Sequence, residues 1–355
     1  MSGQLAIAAE KVWNQMKEGH AGDWGMDIEQ WDWVPGVGVI AALEYAQAAE
    51  GGFEVLSFLQ EWVGRNRGKA GGAPVINAIA PYAIYPALYR ETQDAAYRES
   101  AAATAEWLTK LAPRTREGAF EHTVTENVQF AEQVWADTVF MAALFLARAA
   151  TMLGDAALAK EANEQTLLHM RLLEDPASGV LFHGWNCETG DHMSAARWTR
   201  ANAWNAAGVP LILQETSKLV EVPAELIERY ARLMDGLVGY QQEDGLWSTV
   251  LDRPDFYREV SGSAGIAYGL LKAIEGGWLA DDARYGEAAR RAVEAVLPYI
   301  GEDGIVDGVS GGTPVMESIE AYNEIPVYPT LYGQGLVLML LSQAMRRADE
   351  GGDGR

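Results

Sequence analysis

Apolar residues recur at helical spacing along most of this chain. Their i, i+3, i+4 and i+7 intervals predict about twelve helices. These lie near residues 4–18, 35–49, 53–66, 75–91, 94–111, 131–152, 156–173, 197–216, 223–241, 262–275, 282–297 and 332–347. Strand signals are few and short. VLFHGW (180–185) and GLWSTVL (245–251) read as small hairpin or loop segments between helices.

A repeat shows at the turns. ETQDAAY (91–97), MLGDAAL (152–158) and LADDARY (279–285) each join two apolar helices with an Asp at the same offset. That Asp is placed to cap the next helix, its carboxylate accepting from the free amides of the first turn. LVEVPAEL (219–226) fills the gap in the series, with Pro223 near a helix start. Asp94, Asp155, Pro223 and Asp282 stand roughly 60 residues apart, the period of a repeated helical hairpin. Six such hairpins would close into an all-α double ring, an (α/α)6 barrel. We expect one catalytic domain over 1–348 and a flexible tail over 349–355. The segments 23–36, with Trp24, Trp31 and Trp33, and 306–329, long and glycine-rich, would line the funnel mouth. Loops of that length inside a compact domain tend to be functional.

Charge narrows the function classes. There are 27 basic and 50 acidic residues, a net charge of −23. A nucleic-acid binder would show the opposite balance. An anionic ligand would therefore need basic residues placed locally, such as Arg200. The single cysteine, Cys187, excludes an internal disulfide and a cysteine-built metal cluster. No stretch approaches the ~20 apolar residues of a membrane span, and the first residues read as an amphipathic helix instead of a signal peptide. A cytoplasmic protein is expected, monomer or homodimer, without membrane partner. The five histidines form no HxxH or HExxH pattern, and no GxSxG elbow occurs. Neither metal nor cofactor is expected.

Two stretches concentrate the chemistry. QVWADTVFM (133–141) sets a lone carboxylate, Asp137, in an apolar helical pattern beside Trp135. Burial disfavours a carboxylate's charged form, so a raised pKa is expected, and with it a proton to donate. A plainer reading makes Asp137 a helix cap. HGWNCETGDHMSAARWTRANAW (183–204) packs His183, Trp185, Trp198, Arg200, Asn202 and Trp204 together. Indoles and one guanidinium are suited to grip a sugar bearing a carboxylate. Trp198 and Trp204 read equally well as core, and His183 as a histidine held in a tight turn.

These segments, with WDWVPGVGVIAALEYAQ (31–47), INAIAPYAIYPALYRETQD (76–94) and YPTLYGQGLVLMLLSQ (328–343), resemble the unsaturated glycuronyl hydrolases. The similarity is to the unsaturated rhamnogalacturonyl hydrolases, glycoside hydrolase family 105, and the related family 88. It implies the (α/α)6 fold and an unusual hydrolysis of oligosaccharides that end in a 4,5-unsaturated uronate, as polysaccharide lyases leave them. An aspartic acid protonates the vinyl-ether carbon C4, water adds at C5, and the hemiketal collapses to free the neighbouring sugar. By resemblance Asp137 is that acid and then the base toward water. Trp33, Asn77, Trp135, His183, Trp198, Arg200 and Trp204 would contact substrate. Trp198 and Trp204 would stack on the ring, and Arg200 would pair its fork with the uronate.

Three departures from the family pattern bear on the site. WTRANAW stands where relatives read WARGNGW, so Ala201 and Ala203 would narrow the pocket or shift the backbone. Asn77 stands where some relatives carry a second acid. Thr123 follows His122 where a basic residue is common. Other readings remain open. An (α/α)6 epimerase would lean on paired histidines. An ordinary glycosidase would need a second carboxylate, such as Asp23 or Asp32. A non-catalytic glycan-binding toroid would keep the aromatic cleft alone.

Overall fold

The computed structural model describes residues 2–49, 51–71, 74–125 and 130–352. Twelve α-helices run through them: α1 (Ser2–Lys17), α2 (Trp33–Ala46), α3 (Gly52–Asn66), α4 (Tyr85–Thr92), α5 (Ala95–Lys110), α6 (Leu144–Leu153), α7 (Ala156–Leu173), α8 (Thr199–Thr216), α9 (Ala224–Tyr240), α10 (Val260–Glu275), α11 (Ala283–Val296) and α12 (Leu331–Gly352). The inner ring runs from α2 through the 3₁₀ segment Asn77–Ile84 and α4 to α6, α8, α10 and α12, and α12 returns to α2. Each odd-numbered helix packs outside this ring. The result is an (α/α)6 barrel.

Hydrophobic pattern decides which ring a helix joins. α2 is buried from Val34 to Tyr45 without a break, and α10 from Val260 to Ala273. A helix flanked on both sides by others has no polar face to show. α11 instead buries Tyr285, Ala288, Ala289, Ala292, Val293 and Val296, a single stripe at three- and four-residue spacing. The expected caps form: Asp94, Asp155 and Asp282 each accept from an amide of the following first turn. Pro223 occupies the corresponding place before α9.

The inner ring closes because small residues let α8 and α10 approach. A Cβ on Gly265 would lie 2.9 Å from that of Ala203, and one on Gly269 would lie 2.2 Å from the Ala206 carbonyl. At the far end of the ring the core is polar. Arg148 pairs with Glu44 at 2.7 Å, both nearly buried, and the Tyr268 hydroxyl donates to the other Glu44 oxygen at 3.2 Å.

The predicted helix at 131–152 forms differently. Its first part is a short strand, β1 (Gln133–Trp135), paired antiparallel with β2 (Gly184–Asn186), and a π-helical turn over Val139–Ala143 precedes α6. The 75–91 segment begins as a 3₁₀ helix over Asn77–Ile84, which contains Pro81. α12 continues to Gly352, so residues 349–352 of the expected flexible tail (349–355) are helical, while 353–355 lie outside the described residues.

Gly269→Ala should cost about 2 kcal/mol or more in urea unfolding, since its methyl meets backbone. Gly286→Ala in α11, whose Cβ would meet nothing within 4 Å, should be neutral or stabilise by about 0.5 kcal/mol.

Candidate active site

Asp137 owes its place to the strand pair. β1 and β2 align Trp135 with Gly184, and the next amide, Ala136, donates to the His183 carbonyl at 3.1 Å. Asn205 on α8 donates to the Ala136 carbonyl at 3.0 Å. The chain then turns into the π-helical segment, so Asp137 stands at the entry of an inner helix instead of inside it. Such π turns often mark functional positions. Gly184 leaves room here for two side chains, since a Cβ would lie 2.3 Å from Met193 Cε and 2.8 Å from Val315 Cγ2 and would push them aside.

Around Asp137 opens a cavity of about 630 Å³. Of the expected site residues, Trp33, Asn77, Trp135, Trp198 and Arg200 line it, and His183 and Trp204 do not. Trp24, His122, Phe130 and the loop residues Gly312, Thr313, Pro314 and Tyr328 complete the wall. Trp135 stacks on His122 with ring centres 4.2 Å apart, Trp33 stacks on Tyr332 at 5.0 Å, and Trp198 lies 4.4 Å from His183. Among the described lining residues Asp137 is the one carboxylate.

His183 stands behind Asp137, Nε2 to Oδ2 3.4 Å, with its Nδ1 2.7 Å from the Tyr322 hydroxyl. The first separation lies in the ion-pair range and is longer than an ordinary N–H···O bond. Asp137 Oδ2, His183 Nε2, Asn77 Oδ1, Trp198 Nε1 and Arg200 Nε are all buried and have no hydrogen-bond partner in the protein. A buried polar atom left unmatched costs about 1–3 kcal/mol. Other buried atoms of the core are unmatched too, such as His169 Nε2 and Gln343 Nε2, but these five lie at or beside the cavity.

Several expectations need correction. Trp204 does not reach the cavity: it is fully buried and packs on Phe140 at 5.1 Å, as core. Arg200 lines the cavity, but its fork is already committed. Nη1 donates to the Ser310 carbonyl at 2.9 Å and approaches Glu259 at 3.4 Å, and Nη2 donates to the Gly311 carbonyl at 2.7 Å. Its guanidinium is held between the rings of Trp198 and Tyr332. Two parallel bonds to a uronate from these nitrogens are therefore not open, whereas Nε is unmatched. Ala203 faces Gly265 of α10, and neither it nor Ala201 touches the cavity. Thr123 is a brace: its hydroxyl accepts from Ile76 N at 2.8 Å, and its carbonyl accepts from Asn77 N at 3.1 Å. Asp32 caps α2, and Asp23 closes a tight turn at Gly25.

The expected upward shift of Asp137 is also reversed in the free protein. Burial does push its pKa up, but the close approach and charge of His183, then His122 and Arg200, outweigh it and hold the carboxyl below its ordinary range. Burial in turn lowers His183, although Asp137 opposes that. Sequence reasoning missed Glu259 and Tyr322. Glu259 precedes α10 and accepts from Ser261, Gly262 and Ser310 besides Arg200. Nothing in its sequence position separates it from an ordinary surface glutamate.

Comparison with known proteins agrees with this geometry. The profile of Glycosyl Hydrolase Family 88 matches residues 7–348. The chain belongs to that family. It is 33% identical over 351 residues to the unsaturated rhamnogalacturonyl hydrolase YesR of Bacillus subtilis, covering 97% of each chain. It is 28% identical over 219 residues to an unsaturated 3S-rhamnoglycuronyl hydrolase of Alteromonas sp., covering 59% of this chain and 51% of the other. A possible member of family GH105 from Salmonella enterica superposes with a TM-score of 0.91 at 28% identity, covering 98% of this chain and 95% of that one. The protein is thus a glycoside hydrolase of the unsaturated glycuronyl and rhamnogalacturonyl hydrolase group. No helix among the described residues is long and apolar enough to cross a membrane, and those residues hold no cluster of three metal-ligating side chains.

Buried histidines give the fold a pH dependence. His122 and His169 are pushed by burial from 6.5 to about 4. A depressed histidine is neutral when folded and takes up its proton on unfolding. Its contribution is full above pH 6.5 and is lost as pH falls toward 4, by about 3 kcal/mol each. Asp137 adds a further loss only below 3.8. Urea unfolding at pH 7 and 4.5 should show this decline. His169→Gln, remote from the cavity lining, should remove part of it, the rest staying with the other depressed histidines.

Proposed function

We propose that the protein hydrolyses oligosaccharides ending in a 4,5-unsaturated uronate, with Asp137 as acid and then base. The observation that carries this reading is the solitary carboxylate in an indole-walled cavity. Direct displacement of a glycosidic oxygen calls for two carboxyl groups on either side of the bond. Hydration of a vinyl ether needs one, used twice.

In this reading the unsaturated ring lies between Trp33, Trp135 and Trp198. The bound uronate brings a negative charge and expels water from the carboxyl's surroundings. Both effects raise the Asp137 pKa from its depressed free value, so substrate binding loads the acid. Asp137 delivers its proton to C4, and positive charge develops at C5, shared with the ring oxygen. Water adds to C5 and gives its proton to the Asp137 carboxylate, which restores the acid. The hemiketal then opens and the neighbouring sugar departs. Arg200 contributes Nε and its positive field to the uronate, Trp198 contributes Nε1, and Asn77 offers its side-chain carbonyl to a sugar hydroxyl or to the water. The name and full-length match of YesR favour a uronate joined to rhamnose. We place the reaction in the cytoplasm, in keeping with a single buried cysteine.

The test is loss of the ultraviolet absorbance of the conjugated uronate when the protein meets lyase digests of several polysaccharides. Asp137→Asn should lower kcat by about 10³-fold while a disaccharide still binds in calorimetry. Trp33→Ala should raise KM by roughly tenfold. Turnover that survives Asp137→Asn would sink the mechanism. Binding without turnover by the wild type would select the glycan-binding toroid.

A further inference from the structure

The loop over 306–329 reaches under the cavity and buries one phenol completely. Tyr322 sits in the 3₁₀ turn Glu320–Glu324. Its hydroxyl lies 2.7 Å from His183 Nδ1 and accepts from the Met316 amide at 3.2 Å. The turn is tied down by Tyr257, whose amide donates to Asn323 Oδ1 at 3.2 Å. Nothing in the proton transfer described above uses Tyr322 directly.

The directions of these bonds decide where the histidine carries its proton. The phenol oxygen already receives one N–H, from Met316. The Met316 amide cannot accept the phenolic proton, and of the two groups that can, His183 Nδ1 lies at 2.7 Å whereas the nearby Ser194 hydroxyl makes no hydrogen bond. If Nδ1 carried the hydrogen instead, the oxygen would face two donors and the phenol's own hydrogen would lose its well-placed acceptor. Nε2 would then turn a lone pair toward Asp137 Oδ2, 3.4 Å away, and repel the carboxylate. We infer that Tyr322 is a positioning residue that holds His183 as its neutral Nε2–H tautomer.

That tautomer matters most when Asp137 gives up its proton. The new carboxylate finds an N–H donor already aimed at it, an interaction stronger after proton transfer than before, and so one that favours the transition state. The groups facing His183 are Asp137 before α6, Arg200 on α8 with Glu259 behind it, Tyr322 on the loop, and His122 across Asp137. Donation from the phenol to Nδ1 opposes a second proton on the ring, which limits the cationic form of His183 whose charge draws the Asp137 pKa down. Both consequences rest on the reading of Asp137 as the acid, but the tautomer assignment does not.

Nitrogen-15 NMR of the histidine rings, in wild type, His183→Gln for assignment and Tyr322→Phe, tests it directly. The wild-type ring should show a protonated Nε2 and a bare Nδ1 at neutral pH. Tyr322→Phe keeps the ring but removes the donor: Nδ1 should then become protonatable and His183 should titrate at higher pH. A cationic His183 pulls Asp137 down, so the alkaline limb of kcat should move to lower pH. At neutral pH kcat should fall roughly tenfold with KM changed by less than about twofold. A merely structural role would lower the melting temperature or raise KM and leave the tautomer and its titration alone. An Nδ1–H tautomer in the wild type, or an unchanged ring in Tyr322→Phe, overturns the proposal without recourse to activity. If the tautomer is found but Asp137→Asn still turns over, the assignment stands and the function proposed for Asp137 fails.

Discussion

Everything in this molecule depends on closing a ring of six helices that touch neighbours on both flanks. Each inner helix must be apolar nearly all round, or satisfy its polar groups within the ring. Polar chemistry is thereby pushed to the ends. At one end Glu44, Arg148 and Tyr268 satisfy one another. At the other, Asp137, His183, Asn77 and Arg200 carry atoms that the protein leaves unmatched. The same contrast separates a structural polar cluster from a binding one: the first is closed on itself, the second is held open by its scaffold.

The strand pair and the 306–329 loop do that holding. β1 and β2 fix the backbone of Asp137 against that of His183, while the loop supplies Tyr322 to the histidine and Ser310 and Gly311 to Arg200. Arg200 is thus a pre-oriented cation, balanced by Glu259 and held between two rings. Its freedom has been given up in the fold, and Glu259 offsets its charge within a chain of net charge −23.

Most of the barrel was legible in the sequence, because inner and outer helices differ in their apolar patterns and the Asp caps repeat on schedule. The π-helical entry to α6 was not. QVWADTVFM carries the same apolar spacing whether its first residues are helix or strand, and only pairing with β2 decides. The indoles of the site were visible as residue types, but not their allegiance. Trp198 and Trp204 are six residues apart on or beside α8; Trp198 meets the cavity and Trp204 meets Phe140. The sign of the Asp137 shift was also hidden. Burial is readable from apolar neighbours, whereas His183, His122 and Arg200 arrive from distant segments and reverse it.

The polar pair formed by Glu44 and Arg148 separates the two ends of the ring. It lines a second cavity, of about 520 Å³, at the far end, and that cavity shares no lining residue with the chamber holding Asp137. The two faces of the barrel are thus chemically independent: a substitution in the wall of one leaves the wall of the other unchanged.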